Sequence, residues 1–489
     1  MSVESVTPIK QYSFVSGPNY SDSLLTLAET ELAEAENVYI QDGLRGIPGA
    51  ASIVASAITG GPAVAGLYGY AKRGGSKYLV ALTSNGKGYY EAGGGSWTLM
   101  ATSLSTATSY WDFAVFNDTL LLASGNNVVQ KWFGSGNTAA LAGTPPQSKY
   151  VSVHGDYVFL AGHTAAPSQI RYSDTSVATT WPIGNTLTIG PDDGQIITGL
   201  QKLGDVTIVF KDRSVWQVSG TSPTTFKVEP TLADVGCLAP NTIVALDIGI
   251  FYVSEAGPTL FNGYRAMHLD KRLKAILDTW DWTQIKKASA EYYPFRQKVL
   301  LSYARTGQTT PDRILLFDFA AARVVDAGMY VPTWPILFGH TAMARAEDTL
   351  GRMRVYLGTS DGYVYGFDSG TTWGGTTITG RARTRPFHLG SADQVLGVRS
   401  LDLWLDATLG NLNVKYAADL ATTFTTHNQS PVSMAKTGYD HTFIRLEGDG
   451  TGGAYIDGRW LQWEFTNATT AFALHGLEVG VERKGRRND

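Results

Sequence analysis

The chain has 489 residues and a net charge of −4, with a pI near 6.1. That balance gives no global attraction to nucleic acid; it argues against a protein that grips DNA and leaves open one that touches it in passing. Only 17% of residues are charged, against 54 Gly, 24 Tyr and 19 Phe, which suits an all-β protein with many turns.

The first residues, Met-Ser-Val-Glu, carry no basic n-region and no apolar h-region, so no secretory signal is read there and the chain is expected to be made in the cytoplasm. Leu24, Leu25 and Leu27 precede Glu29 to Glu36, whose Ala, Leu and Glu suggest a helix of a turn or two, shortened by repulsion among the four Glu. Asn37 to Ile40 reads as a strand, Gln41-Asp42-Gly43 as a turn and Leu44 to Gly49 as a second extended piece. The longest uncharged run, Ala50 to Ala71, contains Gly60-Gly61-Pro62 and mostly small residues, and reads as a linker into a strand; no membrane span is expected.

Hairpin patterns then recur at residues 64–99, 113–132, 150–172, 195–228, 242–261, 288–317 and 339–367. A period of roughly 40–50 residues is that of propeller blades. The blade count reads as about seven, with six to eight compatible with the spacing, and stacked sandwiches are the competing architecture. Lys271 to Leu277 interrupts the series with a helical pattern that Asp270 would cap. The clearest hairpin is Val355 to Trp373, where Asp361-Gly362 supplies the turn and Tyr363 to Phe367 the return strand. After Trp373-Gly374-Gly375 the strands lengthen: Thr376 to Thr384, Val395 to Leu405, Leu412 to Ala417, Thr442 to Leu446, Arg459 to Phe465 and Phe472 to Val481. Leu401, Leu403 and Leu405 alternate with Asp402, Trp404 and Asp406, giving one buried and one open face. The expected organisation is an N-terminal extended segment with a short helix (1–60), a β-propeller (61–375) and a C-terminal β-sandwich (376–489) ending in a short basic tail.

Catalytic constellations are sparse. The eight His form no H-x-H or H-x-x-x-H pair, and neither G-x-S-x-G nor a P-loop occurs. The single cysteine, Cys237, allows no intramolecular disulfide and reads as a small buried residue. The turns Pro191 to Gly194 and Glu447 to Thr451 offer paired oxygens but lack a full calcium-loop ligand set. Fragments of a sialidase turn occur at Ser173-Asp174 … Thr179-Thr180-Trp181 and at Ser369 to Trp373. Arg381, Arg383 and Arg385 alternate along one strand, either as a carboxylate clamp or as an ordinary solvated face. Trp111, Trp132, Trp181 and Trp216 would line a sugar cleft or fill a core. On this reading the chain is not an enzyme and needs no cofactor or metal.

Four blocks, in order, are similar to the tail nozzle or hub proteins of short-tailed bacteriophages. They are Glu36 to Ile40 with Gly43 to Gly49; Ile170 to Asp174 with Thr180 to Pro182, Gly190 to Gly194 and Ile197 to Leu200; Thr207 to Lys211 with Ser214 to Gly220; and Asp361 to Tyr365 with Asp368 to Gly370. Ile47 stands where the family more often has a basic residue. The resemblance implies a structural virion protein, assembled in the host cytoplasm as a homo-hexameric ring below the head-to-tail adaptor. Such a ring also meets tail fibres or tailspikes and encloses the channel for double-stranded DNA. A mildly acidic wall suits that role, because each neutralised phosphate would slow the DNA. Asn37, Val38, Tyr39, Leu44, Arg45 and Pro48 are then candidate interface residues, or else the strand that closes the propeller. Arg483, Lys484, Arg486 and Arg487 are candidates for an acidic neighbour or DNA, or else a solvated terminus. A carbohydrate-binding or glycoside-hydrolysing propeller is the alternative.

Overall fold

The computed structural model describes residues 8–41, 43–107, 110–269, 271–325, 328–348, 350–389, 394–407, 411–433, 442–447, 456–467 and 472–486. Six four-stranded antiparallel sheets follow one another as blades 1 to 6, at residues 64–101, 112–140, 150–188, 197–230, 244–268 and 289–336. Blade 7 has three consecutive strands of its own, Ala342–Glu347, Met353–Gly358 and Val364–Phe367. Its fourth strand is Ala50–Ser52, which pairs Phe367 with Ala50 and Tyr365 with Ser52. The ring is therefore closed by a strand from the other end of the sequence. The fold is an all-β, seven-bladed propeller, and the Val355 to Trp373 hairpin is its last.

Each blade is buried on both faces, which explains why its middle strand reads as an unbroken apolar run. Ile208 and Phe210 of blade 4 pack with Ile250 and Tyr252 of blade 5, while Val209 between them turns back onto Phe159 and Tyr150 of blade 3. Leu120 and Leu122 of blade 2 meet Val80 and Leu82 of blade 1, and Leu121 meets Val151 and Val158 of blade 3. The core is thus a circle of apolar layers between neighbouring blades. Where blades 7 and 1 approach most closely only glycine fits: a Cβ on Gly69 would lie 2.4 Å from the Arg345 carbonyl oxygen.

The remaining strands form two sheets that share one core. One carries Ile9–Gln11, Val38–Ile40, Leu44–Gly46, Gln394–Ala407, Thr442–Glu447, Ile456–Gly458 and Phe472–Arg486; the other is built on Glu31–Glu36, Gly380–Thr384, Asn411–Ala418 and Trp460–Asn467. Leu401, Leu403, Leu405, Leu477 and Val479 of the first sheet meet Ala35, Ala382, Val414, Leu461 and Phe465 of the second. This β-sandwich includes strands from both ends of the chain. Its core runs on into blades 6 and 7 through Trp334, Ile336, Val355 and Leu357.

The helix expected at Glu29 to Glu36 is instead the strand Glu31–Glu36. Its charges alternate with Ala33 and Ala35, a period of two that buries the alanines and turns Glu34 and Glu36 toward a basic neighbour. Glu34 stands opposite Arg383 and Glu36 opposite Arg381 in the sheet register. Cross-strand attraction replaces the repulsion that like charges would feel along a helix. The helical interruption between blades 5 and 6 is present as Lys271–Leu273 and Lys274–Leu277; Asp270 lies outside the described residues.

Candidate functional site: the axial cavity and the strap joint

Blades 1, 2, 4, 5, 6 and 7 surround a cavity of about 420 Å³ on the propeller axis. Its lining is mostly polar. Asp112 of blade 2 accepts hydrogen bonds from its neighbour Phe113 N at 2.9 Å and from Val151 N of blade 3 at 2.9 Å. Glu291 of blade 6 repeats the arrangement, accepting from Tyr292 N at 2.9 Å and from Arg345 N of blade 7 at 3.1 Å. Each carboxylate thus clips its blade to the next. The Arg345 guanidinium lies 3.9 Å from Glu291.

Burial pushes the Asp112 carboxyl up to about 7, against the lowering effect of its two backbone donors. It raises Glu291 for the same reason, opposed by Arg345. Tyr68, beside them, is pushed up to about 12 by burial. Between pH 4 and pH 7 the native chain holds a proton on Asp112 that the unfolded chain has released. Stability should therefore fall as pH rises through that window, by up to about 1.4 kcal/mol per unit from this group. Asp112→Asn should flatten that part of the pH–stability curve in denaturant titrations; a variant that tracks the parent from pH 4 to pH 8 would contradict the assignment.

The second locus is the joint made by the strap of residues 36–49. Asn37 sits at its centre with φ 52°, a left-handed conformation that asparagine tolerates better than most residues. Its Oδ1 accepts from Leu337 N at 2.8 Å, its Nδ2 donates to Thr379 O at 3.1 Å, and its own N–H donates to Pro335 O at 2.9 Å. One residue thereby ties the strap to blade 6 and to the segment entering the sandwich. Asn37→Ala should cost about 2–4 kcal/mol, from stranded backbone groups plus backbone strain; urea unfolding would measure it. Next to it, Tyr39 accepts from Arg296 Nη1 at 2.9 Å and donates to Gln41. Arg296 also holds Asp368 of the closing hairpin through Nε at 3.0 Å, and Tyr293 donates to the same carboxylate at 2.9 Å.

Of the expected interface residues, Asn37, Val38, Tyr39 and Leu44 are buried within the chain, in the joint and in the sandwich core. Their contacts here are intramolecular. Nor does this segment close the ring; the three residues after it, Ala50–Ser52, do so. Arg45 and Pro48 are half-buried. Arg483, Lys484 and Arg486 continue the last strand, with Arg483 opposite Leu396 and Arg486 opposite Gln394, so this stretch is not a loose terminus; Arg487 lies outside the described residues.

The other candidates resolve into structure. Arg383 meets Glu34 at 2.8 Å and Glu464 at 2.7 Å, Arg381 meets Glu36 at 2.9 Å, and Arg385 lies 3.8 Å from Glu29. Lys415 extends this ladder to Glu464 at 3.4 Å. Three arginines already matched to glutamates do not form a carboxylate clamp. In the Pro191 to Gly194 turn, Asp193 holds the fully buried ammonium of Lys211 at 2.6 Å. Glu447 ends a strand, and residues 448–451 of the other acidic turn lie outside the described residues. Among the described residues no three His, Cys, Asp or Glu gather as metal ligands. Trp111, Trp132 and Trp181 are buried, and half-buried Trp216 donates to Ser214 Oγ. Ser173 is buried and bonded to Val158 N and Asp174 O within blade 3. Cys237 is fully buried, and burial pushes its thiol up to about 12. No helix among the described residues is long and apolar enough to cross a membrane.

Sequence reasoning missed the axial carboxylates and the Arg296–Asp368 link. Asp112 opens an apolar strand and Glu291 sits between Ala290 and Tyr292, so a lone acid in an inner strand was the available signal. Their shared cavity depends on blades far apart in the chain.

No family model and no curated protein matches the sequence. Many solved structures are similar in shape. BamB from Moraxella catarrhalis aligns at TM-score 0.38 and 13% identity, over 76% of this chain and 98% of that one. The extracellular domain of a one-component system from B. thetaiotaomicron aligns at TM-score 0.43 and 10% identity, over 73% of this chain and 44% of that one. The Neurospora crassa Pan2 WD40 domain aligns at TM-score 0.40 and 9% identity, over 64% and 91%.

Proposed function

We propose that this chain is a structural subunit of the tail of a short-tailed bacteriophage, a nozzle or hub ring through which DNA leaves the particle. The observation that carries the reading is the ordered set of sequence blocks. The first of them builds the strap joint, and the last contains the hairpin that closes the ring and leads into the sandwich. Supporting it, Arg381, Arg383 and Arg385 are each matched to a glutamate, and net charge is −4. A channel wall with few unpaired cations would let a polyanion slide. Its partners are further copies of the chain, a head-to-tail adaptor, a fibre or tailspike, and DNA in passage.

The test is assembly combined with DNA retention. Purified chain mixed with the adaptor ring should assemble on it, and the complex should not retard duplex DNA at physiological salt. Strong retardation, or failure to assemble, would count against the proposal. A sugar cleft built on the four tryptophans is disfavoured, because three are buried and the fourth is half-buried.

A further inference from the structure

The outer face of the sandwich carries a corner of two aromatic rings. The alternation that sends Leu401, Leu403 and Leu405 into the core turns Asp402 and Trp404 the other way. On the neighbouring strand Phe472–Arg486, Glu478 stands opposite Asp402 and Gly476 opposite Trp404. Lys10 stands opposite Glu478 on the next strand, and Tyr12 follows it on the same face. Tyr12 is 54% exposed and meets Trp404 edge to face, with ring centroids 5.3 Å apart and planes at 71°. Its hydroxyl donates to Glu478 at 2.9 Å, which fixes the ring's orientation. Gly476 is the floor between the rings. A Cβ there would lie 2.8 Å from the Tyr12 ring, so only glycine leaves the corner open. His475 is the extra residue where the register shifts between Trp404 and Leu405, and this bulge brings it to the wall. Tyr12, Trp404, His475 and Gly476 together bound a slot of about 500 Å³.

We propose that this slot seats one pyranose ring of a neutral glycan. Its volume lies within the range of small-ligand pockets, about 300–1,000 Å³, whereas a stable protein interface takes about 20–30 residues a side. Four residues make a seat for one ring rather than for a second copy. The aromatic faces offer flat apolar surface to the C–H face of a sugar. A polar row runs beside them. Arg445 donates to Asp402 through Nε at 2.8 Å and Nη2 at 2.9 Å, and Lys10 meets Glu478 at 3.3 Å. The side chains at the two ends of that row, Arg445 and Lys10, are 55% and 45% exposed and donate to ligand hydroxyls from either side of the corner. Charge argues against other ligands. Each acid in the row faces its own cation, so an ionic ligand gains no net attraction. Lys10 Nζ also lies 5.6 Å from the centre of the Tyr12 ring, where a cationic ligand would meet a like charge. Because Tyr12 is more than half exposed, the slot opens to solvent and the seated ring can belong to a longer chain.

The site is independent of the tail-ring reading, because it lies on the sandwich and needs no second copy. The test is calorimetric titration of the full chain with galactose, N-acetylglucosamine, lactose and chitobiose, with choline as a cationic counter-probe and tryptophan emission followed in parallel. At least one sugar should bind one to one and shift the emission, and choline should not displace it. Tyr12→Leu keeps apolar bulk but removes the flat ring, so affinity should fall about tenfold while melting stays close to the parent. Trp404→Phe keeps an aromatic ring in the slot and should abolish the sugar-induced emission shift. Binding of no sugar, displacement by choline, parent-like affinity in Tyr12→Leu, or an emission shift that persists in Trp404→Phe would each overturn the proposal.

Discussion

A chain lacking residues 1–52 is expected to show no cooperative unfolding transition at all. The deletion removes Ala50–Ser52 from blade 7 and leaves the edge of Val364–Phe367 unpaired. It also strips Glu31–Glu36 from Gly380–Thr384, so Arg381 and Arg383 lose Glu36 and Glu34. Phe14, Leu32, Val38, Tyr39, Leu44 and Ile47 all leave the shared core of sandwich and propeller. Buried side chains of this kind contribute about 1.5–3 kcal/mol each, so the loss is on the order of 10 kcal/mol, comparable to the whole net stability of a typical domain. Calorimetry of the truncated chain is the check. A transition within a few degrees of the parent would show that the strap is an accessory.

Replacing Asp318 by Ala should cost about 3–5 kcal/mol. Lys298 and Asp318 face each other across two central strands of blade 6, 2.5 Å apart and almost completely buried. Burial lowers the Lys298 ammonium, and its partner only partly restores it. Removing Asp318 leaves that ammonium with the Tyr39 ring, 5.2 Å away, and with the like charge of Arg296 acting against it. The pair itself is imperfect, because Asp318 Oδ1 has no partner. The double replacement Lys298→Met with Asp318→Leu should therefore be close to neutral or stabilising. Urea titration of the three variants decides this. A single variant as stable as the parent would mean that the ammonium finds water or loses its proton without cost.

The two predicted halves of the molecule were legible to different depths. The blades could be read because each is local: a hairpin such as Leu120 to Ala123 against Asp112 to Phe116 needs one turn and two apolar runs. The long sandwich strands were visible as alternating Leu and polar residues from Leu401 to Leu405 for the same reason. What could not be read was pairing between the ends of the chain. Glu34 and Arg383 are 349 residues apart, and only their contact turns a helix-like stretch of Ala and Glu into a strand. Asn37 read as the start of a strand that would pair with a neighbour or close the propeller, because nothing local shows that Pro335, Leu337 and Thr379 converge on it. The axial cavity was hidden for a similar reason: its groups come from six blades, and each looks ordinary in its own strand.

The ring is the central claim. Its most direct test is native mass measurement of the purified chain, alone and after incubation with the adaptor ring. A homo-hexameric ring is expected in at least one of these conditions. A strict monomer in both would contradict it.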